Sequence, residues 1–517
     1  MGEFVDSTDN VKIFFRTDAS IAIGSGHVMR CLTLADELRV RKCEVAFICR
    51  DLPGNLILLI EEKGYLVYKL PDLSDTKVFD WQEDAARTAN YIQASIGYAD
   101  WVVVDHYELD IFWESALRKC TQKIMVIDDL ANRPHDCNLL LDQNYFNEST
   151  ESRYLNRVSD NCETLLGPRY ALLQPEYSTL HKILPQHDGL VSRVLVFFGG
   201  SDLSEQTKKV LIALDCLELA FLVVDVVIGK NYADIEGIEV LVAKRPGTSL
   251  YRSLPSLAAL MMRADFVIGA GGVTTWERMC LGLPSLVISL ADNQYEFTQA
   301  LSERNFQMSL TSGKLTSSAD WQQAISEIIN KPTIIKQLSQ NAQSLVDGLG
   351  VKRVVRAILR NEKFNLTIRK ANTADEAILF DWINDLEVRK QSFQQEYIDR
   401  SEHSQWFATK LVDPECVLLI GEDEAGLPIG QVRFEMNAKM AEAIVDISID
   451  NSLRGMGFSE QLLGEAIKYW RKLNSTFKLK AEIRDENIRS QQLFIKLNFI
   501  FTIRSMRVGA KTFELIF

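Results

Sequence analysis

Short apolar runs alternate with amphipathic stretches along the first 180 residues of the chain. The runs have strand length and are apolar at most positions: Val11–Phe15, Glu44–Cys49, Trp101–Asp105, Ile124–Ile127 and Asn138–Leu141. Continuous apolar runs without alternation favour strands buried on both faces, as in a parallel sheet covered by helices. Residues 11–180 are therefore predicted to form a doubly wound, Rossmann-like α/β domain.

A second series of the same kind begins near Arg193. Its predicted strands are Val194–Phe198, Leu222–Ile228, Ile238–Val242, Phe266–Ile268 and Ser285–Ile288. The segment between the two series, Tyr177–Leu190, contains Pro, His, Gln and Gly and predicts a linker. A helical pattern over Trp321–Arg360 closes a second Rossmann-like domain, which is predicted over residues 190–345.

The pattern changes at Phe364, where LTIRKANTADEAILFDWI predicts a strand followed by a helix. Further strands are predicted at Val417–Ile420, Gly430–Phe434 and Ala443–Ile449, and the last of them runs into a glycine loop and a helix. Residues 365–517 are therefore expected to form a separate α+β domain.

Composition narrows the class of protein. Of the 517 residues, 57 are Lys or Arg and 70 are Asp or Glu, which gives a net charge of -13 and argues against a nucleic-acid or anionic-membrane partner. The nine cysteines form no Cys-x-x-Cys pair and are expected to be reduced thiols. No apolar run reaches the length of a membrane span, and the polar start predicts no signal peptide. We expect a cytoplasmic enzyme; its oligomeric state stays open.

The sequence Gly24-Ser25-Gly26-His27 stands between the first predicted strand and a predicted helix. Glycines allow a ligand to approach the backbone, and a helix N-terminus presents free N–H groups. Its positive potential disfavours an imidazolium, so it suits a neutral general base at His27. A histidine that only caps the turn is the structural alternative.

The stretch Arg16–Ser20, together with Ile23–Leu32, resembles the N-terminal signature of the UDP-sugar hydrolases of the pseudaminic acid pathway. That family has the GT-B architecture and hydrolyses UDP-2,4-diacetamido-2,4,6-trideoxy-β-L-altropyranose to UDP and the free sugar. The resemblance covers about residues 11–345. It implies that His27 activates water at the anomeric carbon with inversion, and that Arg16, Asp18, Gly24 and Gly26 contribute to substrate binding.

Polar residues follow two further predicted strands. Asp105-His106-Tyr107 comes after WVVV, at a strand end where α/β sheets bind ligands, and the same resemblance places Tyr107 near the sugar. The structural alternative is that His106 and Tyr107 only cap the sheet edge. Asp128-Asp129 has the same placement, but no His or Cys stands at ligand spacing. We interpret this pair as strand-end residues and expect no metal.

The segment ADFVIGAGGVTTWERMCLGLPSLVISLADNQ predicts strand, glycine turn, helix and strand. A diphosphate fits such a turn, and Glu277 lies one helical turn further on, where it can reach a ribose. A capping box formed by Thr274 and Glu277 is the alternative, and both roles can coexist. This arrangement is similar to the nucleotide-binding half of GT-B enzymes, which implies a UDP-sugar site at Gly200, Gly271, Gly272, Val273, Thr274, Thr275, Glu277, Asn293 and Gln294.

The last domain carries a third glycine loop between a strand and an amphipathic helix, RGMGFS, followed by a strand and Asn487. Together these segments resemble the GNAT N-acetyltransferases over residues 365–517. The resemblance implies that acetyl-CoA is the cosubstrate, held by Ile447, Ser448, Ile449, Arg454, Gly455, Met456, Gly457, Phe458, Ser459, Asn487 and Phe494.

This domain departs from the GNAT pattern at Phe494, which stands where a tyrosine often protonates the leaving thiolate. The proton donor is therefore open, with water and His403 among the candidates. The base that acts on the acceptor is open as well, and Glu435 and Asp446 are candidates by strand position.

The resemblances imply a bifunctional enzyme of pseudaminic (nonulosonic) acid biosynthesis. Its last domain would acetylate the 4-amino group of a UDP-4-amino sugar, and its first two domains would then release UDP. One alternative is a GT-B glycosyltransferase that passes the sugar to an acceptor other than water. Another is a hydrolase whose GNAT module is degenerate and non-catalytic.

Overall fold

The computed structural model describes residues 10–72, 79–147, 150, 152–200, 202, 204–229, 232–310, 316–359, 366–423, 426–439, 441–454, 457–473, 477–504 and 509–515. The chain divides into two compact units, Met1–Ile358 and Leu359–Phe517. The first unit contains two parallel sheets and the second contains one mixed sheet.

The first sheet has seven parallel strands in the order β3-β2-β1-β4-β5-β6-β7. They are β1 (Lys12–Thr17), β2 (Glu44–Arg50), β3 (Leu66–Leu70), β4 (Ala99–Asp105), β5 (Thr121–Ile127), β6 (Leu139–Asp142) and β7 (Glu163–Leu166). Its helices are α1 (Gly26–Val40), α2 (Ile57–Glu62), α3 (Trp81–Ile96) and α4 (Ile111–Leu117). The order reverses beside β1, so the ends of β1 and β4 form the switch point at which such sheets bind ligands.

The second sheet has six parallel strands in the order β10-β9-β8-β11-β12-β13. They are β8 (Arg193–Phe197), β9 (Val223–Ile228), β10 (Thr248–Arg252), β11 (Phe266–Ala270), β12 (Ser285–Ile288) and β13 (Met308–Ser309). The helices of this region are α5 (Pro175–Ile183), α6 (Gln206–Leu214), α7 (Ile235–Lys244), α8 (Ala258–Arg263), α9 (Thr274–Cys280), α10 (Asp292–Glu303), α11 (Ser318–Ile329), α12 (Pro332–Leu345) and α13 (Gly350–Ile358). Apolar clusters cover both faces of the sheet.

Two sequence predictions in this region are wrong. Ile238–Val242 belongs to α7, which begins where the Asp234 carboxylate accepts a hydrogen bond from the Gly237 amide; Ile238 is buried while Val240 is exposed, as a helix requires. The third strand in chain order is instead β10, whose half-polar sequence suits its position at the edge of the sheet. The predicted linker instead begins with α5, where a proline at the first turn and the buried Tyr177 fix a helix.

The sheet of the second unit has the order β14-β15-β16-β17-β18-β20-β19. Its strands are β14 (Thr367–Lys370), β15 (Cys416–Glu422), β16 (Pro428–Asn437), β17 (Glu442–Ile449), β18 (Lys478–Arg484), β19 (Ile500–Arg504) and β20 (Ala510–Leu515). Its helices are α14 (Glu376–Asn384), α15 (Leu386–Gln391), α16 (Arg400–Val412), α17 (Phe458–Leu473) and α18 (Ile488–Lys496). The strands predicted between residues 417 and 449 are confirmed. How the first unit divides into domains at residues 180 and 190 stays a prediction.

The central pair of this sheet, β17 and β18, is parallel and short. Its register joins Glu442–Ile444 to Lys478–Lys480 and goes no further, although both strands continue. The other edge of β17 pairs with β16 as far as Ile449. The strands therefore diverge, and residues 445–449 have no strand partner on the β18 side.

A buried ionic network ties α3 to the ends of β1 and β2. The Arg16 guanidinium donates to the carboxylates of Asp18 and Asp84 at 2.7–3.1 Å, and Arg50 donates to Asp84 at 2.5 Å. Arg16 and Asp84 are both fully buried, and the Trp113 indole also donates to Asp84 at 3.0 Å. Buried charges persist only when they are paired in this way.

Within the described part of the chain, no helix has both the length and the apolar character needed to cross a membrane.

Asp84→Ala should destabilise the first unit strongly, because it leaves two buried guanidinium groups without their shared carboxylate. The expected loss is about 3–5 kcal/mol in the free energy of unfolding, measured by urea denaturation. Glu83→Ala is the matched control, since Glu83 makes a half-exposed pair with Arg87 and should cost less than about 1 kcal/mol. Equal losses in the two variants would contradict the structural role of Asp84.

Candidate active sites

His27 is hydrogen-bonded to a buried carboxylate at the end of β4. Its Nδ1 lies 2.5 Å from Oδ1 of Asp105. His27 stands in the first turn of α1 and makes no capping hydrogen bond there, so the turn-capping alternative is wrong. Within the described residues Nε2 has no hydrogen-bond partner, and about a tenth of the side chain is exposed. The carboxylate favours a proton on Nδ1, which leaves the lone pair on Nε2 available to a ligand.

Arg30 holds the other side of Asp105. Its Nε and Nη2 donate to the two carboxylate oxygens at 2.6 Å each, and its Nη1 reaches Asp129 at 3.3 Å. Burial alone would raise the pKa of Asp105, but the charge of Arg30 and the His27 imidazole hold that pKa well below its ordinary value. Asp105 is therefore ionised across the physiological range.

Tyr107 joins the two sheets of the first unit. Its ring meets that of His27 edge to face, with centroids 4.6 Å apart, and its hydroxyl accepts a hydrogen bond of 3.0 Å from Asn293 at the start of α10. Burial and the nearby Asp129 carboxylate raise the pKa of Tyr107 well above its ordinary range. The phenol therefore keeps its proton, for which the Asp129 carboxylate is a nearby acceptor.

Two glycine loops of the first unit approach each other: the His27 loop, Gly24–His27, and the second loop, Gly271–Val273. A Cβ on Gly26 would lie 3.1 Å from a methyl of Val273, and one on Gly272 would lie 3.7 Å from the Gln294 amide. A Cβ on Gly271 would overlap the Thr298 hydroxyl at 2.2 Å. These positions bring the His27 loop and the second loop to one place, as their predicted roles in a common site require.

The hydroxyls of Thr274 and Thr275 both contact Arg278. They accept hydrogen bonds from its guanidinium at 3.3 and 3.1 Å, and Thr275 is fully buried while Thr274 is partly exposed. The start of α9 shows no side-chain cap, so the capping box of Thr274 and Glu277 is not formed. Arg278 lies beneath the loop as a buried cation, and burial lowers its pKa to about 10.

Glu277 is a partly buried carboxylate next to Tyr177. Burial raises its pKa to about 7, against the opposing effects of the Tyr177 hydroxyl and of Arg278. A carboxylate at this position changes its charge near neutral pH. The contact between Glu277 and a ribose stays a prediction.

The remaining residues predicted to bind the sugar nucleotide lie at different depths. Gly24 has a φ of 84° in the turn before α1, a conformation that favours glycine, and Gly200 is exposed after β8. The side-chain oxygen of Gln294 accepts a hydrogen bond of 2.9 Å from the Leu290 amide. Arg16 and Asp18 are enclosed in the buried network, so their position supports the site from beneath.

Sequence reasoning missed Asp105, Arg30 and Asp129 as members of the site. Arg30 and Asp105 both stand in the motifs that identify His27 and Tyr107, so their place beside those residues was a usable signal. The separation of 75 residues between Arg30 and Asp105 gave no such signal, because the two side chains meet only when β4 lies beside β1. Asp128 behaves as the predicted strand-end residue: it accepts from the Ala131 amide at 2.8 Å and from Tyr154 at 2.9 Å.

Among the described residues, no group of three or more His, Cys, Asp or Glu side chains has the geometry to hold a metal ion.

The second unit places its predicted residues around the divergence of β17 and β18. Ile447, Ser448 and Ile449 lie on the unpaired edge of β17. Arg454 follows them, donates weakly to the Ile449 carbonyl at 3.4 Å and pairs with Asp385 at 2.7 Å. Gly457 has a φ of 85°. This edge and the following turn suit an extended ligand that continues the sheet by backbone hydrogen bonds.

Several predicted residues of this unit also have structural tasks. Asn487 caps α18 through a hydrogen bond from the Ser490 amide at 3.1 Å. Phe458 and Phe494 are buried in the apolar core, where Phe494 meets Phe499 edge to face at 4.9 Å. Ser459 is partly exposed in the first turn of α17. Gly455 and Met456 lie outside the described residues.

Comparison with known proteins agrees with this division of the chain. Residues 365–500 match the acetyltransferase (GNAT) domain family. An uncharacterized protein of Methanocaldococcus jannaschii is 24% identical over 516 residues, which cover 95% of this chain and 96% of that protein. The predicted fold class is thus confirmed: two Rossmann-like parallel sheets precede a GNAT-type domain.

Two further relatives are homologous to the region before the GNAT domain. The spore coat polysaccharide biosynthesis protein SpsG of Bacillus subtilis is 27% identical over 205 residues, 40% of this chain and 60% of that protein. The UDP-2,4-diacetamido-2,4,6-trideoxy-β-L-altropyranose hydrolase of Campylobacter jejuni is 31% identical over 168 residues, 32% of this chain and 53% of that protein. The chain thus spans little more than half the length of either protein. Among solved structures, MurG of Acinetobacter baumannii covers 68% of this chain and 99% of its own, at 13% identity and a TM-score of 0.48.

Glu277→Gln should change the pH dependence of stability. The folded protein binds a proton at Glu277 between the ordinary pKa of 4.5 and about 7, where the unfolded chain has released it, so ionisation in the folded state destabilises the protein as the pH rises. The variant should therefore gain free energy of unfolding relative to the wild type from pH 5 to pH 8, measured by urea denaturation. A difference that stays constant over this range would contradict the raised pKa.

Proposed function

We propose that this chain is a bifunctional enzyme of nucleotide-sugar biosynthesis. Its second unit transfers acetyl from acetyl-CoA to the 4-amino group of a UDP-4-amino-4,6-dideoxy sugar. Its first unit hydrolyses the resulting UDP-2,4-diacetamido-2,4,6-trideoxy-β-L-altropyranose to UDP and free sugar. The observation that carries the hydrolytic part is the 2.5 Å contact between His27 and Asp105. The named hydrolase among the relatives and the GNAT match support the same assignment.

In the proposed hydrolysis His27 is the general base. Asp105 keeps a proton on Nδ1, and Nε2 takes a proton from the water that attacks the anomeric carbon. The new C–O bond forms on the face opposite UDP while the bond to the diphosphate breaks, which inverts the anomeric configuration. Asp105 also stabilises the imidazolium that forms, as the carboxylate of a Ser-His-Asp triad does.

Tyr107 and Asn293 are proposed to fix the substrate between the two sheets. The protonated Tyr107 hydroxyl beside His27 can donate to an oxygen of the sugar or of the leaving group. Asn293, at the start of α10, donates a hydrogen bond to that hydroxyl. This bond connects Tyr107 to the half of the unit that carries the second glycine loop. A site assembled from both halves of the unit would limit the access of bulk water to the anomeric carbon.

The second loop is proposed to hold UDP. The Gly271 amide donates to the Ile288 carbonyl at 2.9 Å, so the backbone amides of Gly272 and Val273 and the Thr274 hydroxyl would face the diphosphate, with the buried Arg278 adding positive charge beneath them. Glu277 would accept hydrogen bonds from the ribose hydroxyls. Stabilising the negative charge of departing UDP removes the need for a covalent intermediate.

In the second unit acetyl-CoA is proposed to lie along the unpaired edge of β17. Its amide groups would replace the missing β18 partners at Ile447–Ile449, and its pyrophosphate would meet Arg454, Gly457 and the N-terminus of α17. Phe494 has no hydroxyl to protonate the departing thiolate, so the proton comes from water or from another group.

A coupled assay by NMR tests the proposal. The full chain is incubated with a UDP-4-amino-4,6-dideoxy-2-acetamido sugar, with and without acetyl-CoA. N-acetylated free sugar and UDP are expected only when acetyl-CoA is present. UDP release without acetylation would leave a hydrolase with an idle GNAT unit, and an unchanged substrate in both samples would contradict both activities.

His27→Ala should abolish UDP release from the acetylated UDP-sugar while acetyl transfer continues. Asp105→Asn should lower kcat by about 10²-fold or more, because the amide no longer fixes the tautomer of His27. Gly457→Trp is the reciprocal control: it should block the use of acetyl-CoA and leave UDP release from preacetylated substrate unchanged. Loss of both activities in any one of these variants would argue against two independent sites.

A further inference from the structure

Two cysteine side chains of the first unit are in contact where neighbouring strands begin. The sulfurs of Cys137 and Cys162 lie 3.5 Å apart. The parallel register of β6 and β7 starts with Leu139 opposite Glu163, so one step back along both strands places Asn138 opposite Cys162, with Cys137 one residue further. A strand spacing of about 4.8 Å and a rise of about 3.3 Å give the two cysteines a Cα–Cα separation of about 5.8 Å. Disulfides have this separation.

Backbone hydrogen bonds hold both cysteines in place. The Asn138 amide donates to the Ile124 carbonyl at 2.8 Å, and the Asn138 carbonyl accepts from the Glu163 amide at 3.0 Å. The Cys162 amide donates to the Ser159 carbonyl at 2.9 Å. The contact between the two sulfurs is therefore set by paired backbone, and a bond between them needs no rearrangement of the sheet.

The two thiols differ in exposure and in their surroundings. Cys137 is buried, whereas Cys162 is partly exposed. The hydrogen bond from the Cys137 thiol and the charge of Arg118 lower the pKa of Cys162 against the effect of burial, while the same hydrogen bond and burial raise the pKa of Cys137. Arg118 is fixed by hydrogen bonds of 2.6 Å to Asp136 and Asn138, which flank Cys137. A partly exposed thiolate beside a second thiol is the arrangement found in oxidation-sensitive cysteines.

We propose that Cys137 and Cys162 are a redox modification site, at which a peroxide converts the two thiols into a reversible disulfide. The expectation that all nine cysteines are thiols then describes the reduced protein. The pair lies at the amino ends of β6 and β7, whereas His27 meets Asp105 at the carboxyl end of β4 in the same sheet. The site is thus separate from the candidate hydrolytic site, and its test needs no substrate.

The oxidation balances in two steps with hydrogen peroxide as the oxidant. The Cys162 thiol first releases its proton to solvent. Its thiolate attacks one oxygen of the peroxide, the O–O bond breaks, and a sulfenic acid and hydroxide form. The hydroxide takes the proton of Cys137, whose sulfur attacks the sulfenic sulfur; the S–S bond forms, the S–O bond breaks, and the departing hydroxide takes up a proton. Two thiols and one peroxide thus give one disulfide and two molecules of water.

The disulfide would close a loop that reaches from the first sheet to the second. Residues 137–162 include β6 and Arg153. The Arg153 guanidinium donates to Asp142 at 3.2 Å, to the Asp129 carbonyl at 2.9 Å and to Glu296 of α10 at 3.2 Å. A cross-link between residues 25 positions apart restricts the unfolded chain. Oxidation is therefore expected to stabilise the folded unit.

Peptide mapping of the full chain tests the proposal. The folded protein is treated with excess hydrogen peroxide, its remaining thiols are blocked with iodoacetamide, and it is digested with trypsin. Cleavage places Cys137 in the peptide of residues 124–153 and Cys162 in that of residues 158–169. We expect the two peptides to be joined, two hydrogens lighter than their sum, and to separate after reduction with dithiothreitol. Iodoacetamide adducts on both cysteines after peroxide treatment would overturn the proposal.

Cys137→Ser tests which sulfur reacts first. Without the second thiol, the sulfenic acid at Cys162 should persist, and dimedone should label Cys162 in this variant but not in the wild type. Cys120→Ser is the matched control, because Cys120 is buried and its thiol donates to the Leu117 carbonyl at 3.2 Å; it should form the cross-link as the wild type does. Labelling of Cys162 that is equal in Cys137→Ser and wild type would contradict the assigned order.

Thermal unfolding measures the effect of the cross-link on the fold. Oxidation should raise the melting temperature of the wild type by about 3 °C or more, and dithiothreitol should reverse the rise. Cys137→Ser, treated in the same way, should show no such rise. No shift in the wild type, or an equal shift in Cys137→Ser, would overturn the restraint attributed to the disulfide.

Discussion

The candidate hydrolytic site depends on the pairing of one buried carboxylate, Asp105. It stands at the end of a central strand, where water cannot stabilise its charge, and Arg30 supplies two hydrogen bonds in place of water. That pairing keeps Asp105 ionised and leaves one oxygen 2.5 Å from His27. The imidazole thereby acquires a fixed tautomer and a fixed orientation. Without Arg30 the same carboxyl would take up a proton and could no longer orient a base.

The network behind the site extends this constraint to the sheet itself. Arg16 and Asp18 at the end of β1 are tied to Arg50 at the end of β2 and to Asp84 on α3. The His106 ring, next to Asp105 in sequence, lies 3.2 Å from Asp18 and so connects the two groups of charges. The carboxyl ends of three neighbouring strands are thus held by ion pairs that exclude water. A loop anchored in this way can hold its glycines and His27 in place before substrate arrives.

Local patterns predicted much of this fold, and they failed where contacts between distant residues decide. Continuous apolar strands such as Trp101–Asp105 were recognisable because burial on both faces leaves no polar position. Ile238–Val242 has the same composition, but an Asp234 cap and an exposed Val240 make it helical, and composition alone cannot separate the two. Asp84 shows no signal at all in sequence, since its partner Arg16 is 68 residues away. Motif resemblance predicted His27 and Tyr107 but not the residues that hold them, and it assigned Phe494 a ligand role although its ring packs in the core.

The same physical criterion separates carboxylates that hold neighbouring side chains in place from carboxylates that can bind a ligand. Asp84 and Asp105 are buried, bound by guanidinium groups at close range and ionised. Glu277 has no such partner at hydrogen-bonding distance within the described residues, and burial raises its pKa to about 7, so its charge can respond to a ligand. A carboxylate whose charge is already compensated has little to offer a substrate, because a new partner must displace an existing one. Among residues of equal chemistry and similar position, the carboxylate that the fold leaves incompletely paired is therefore the one to assign to a ligand.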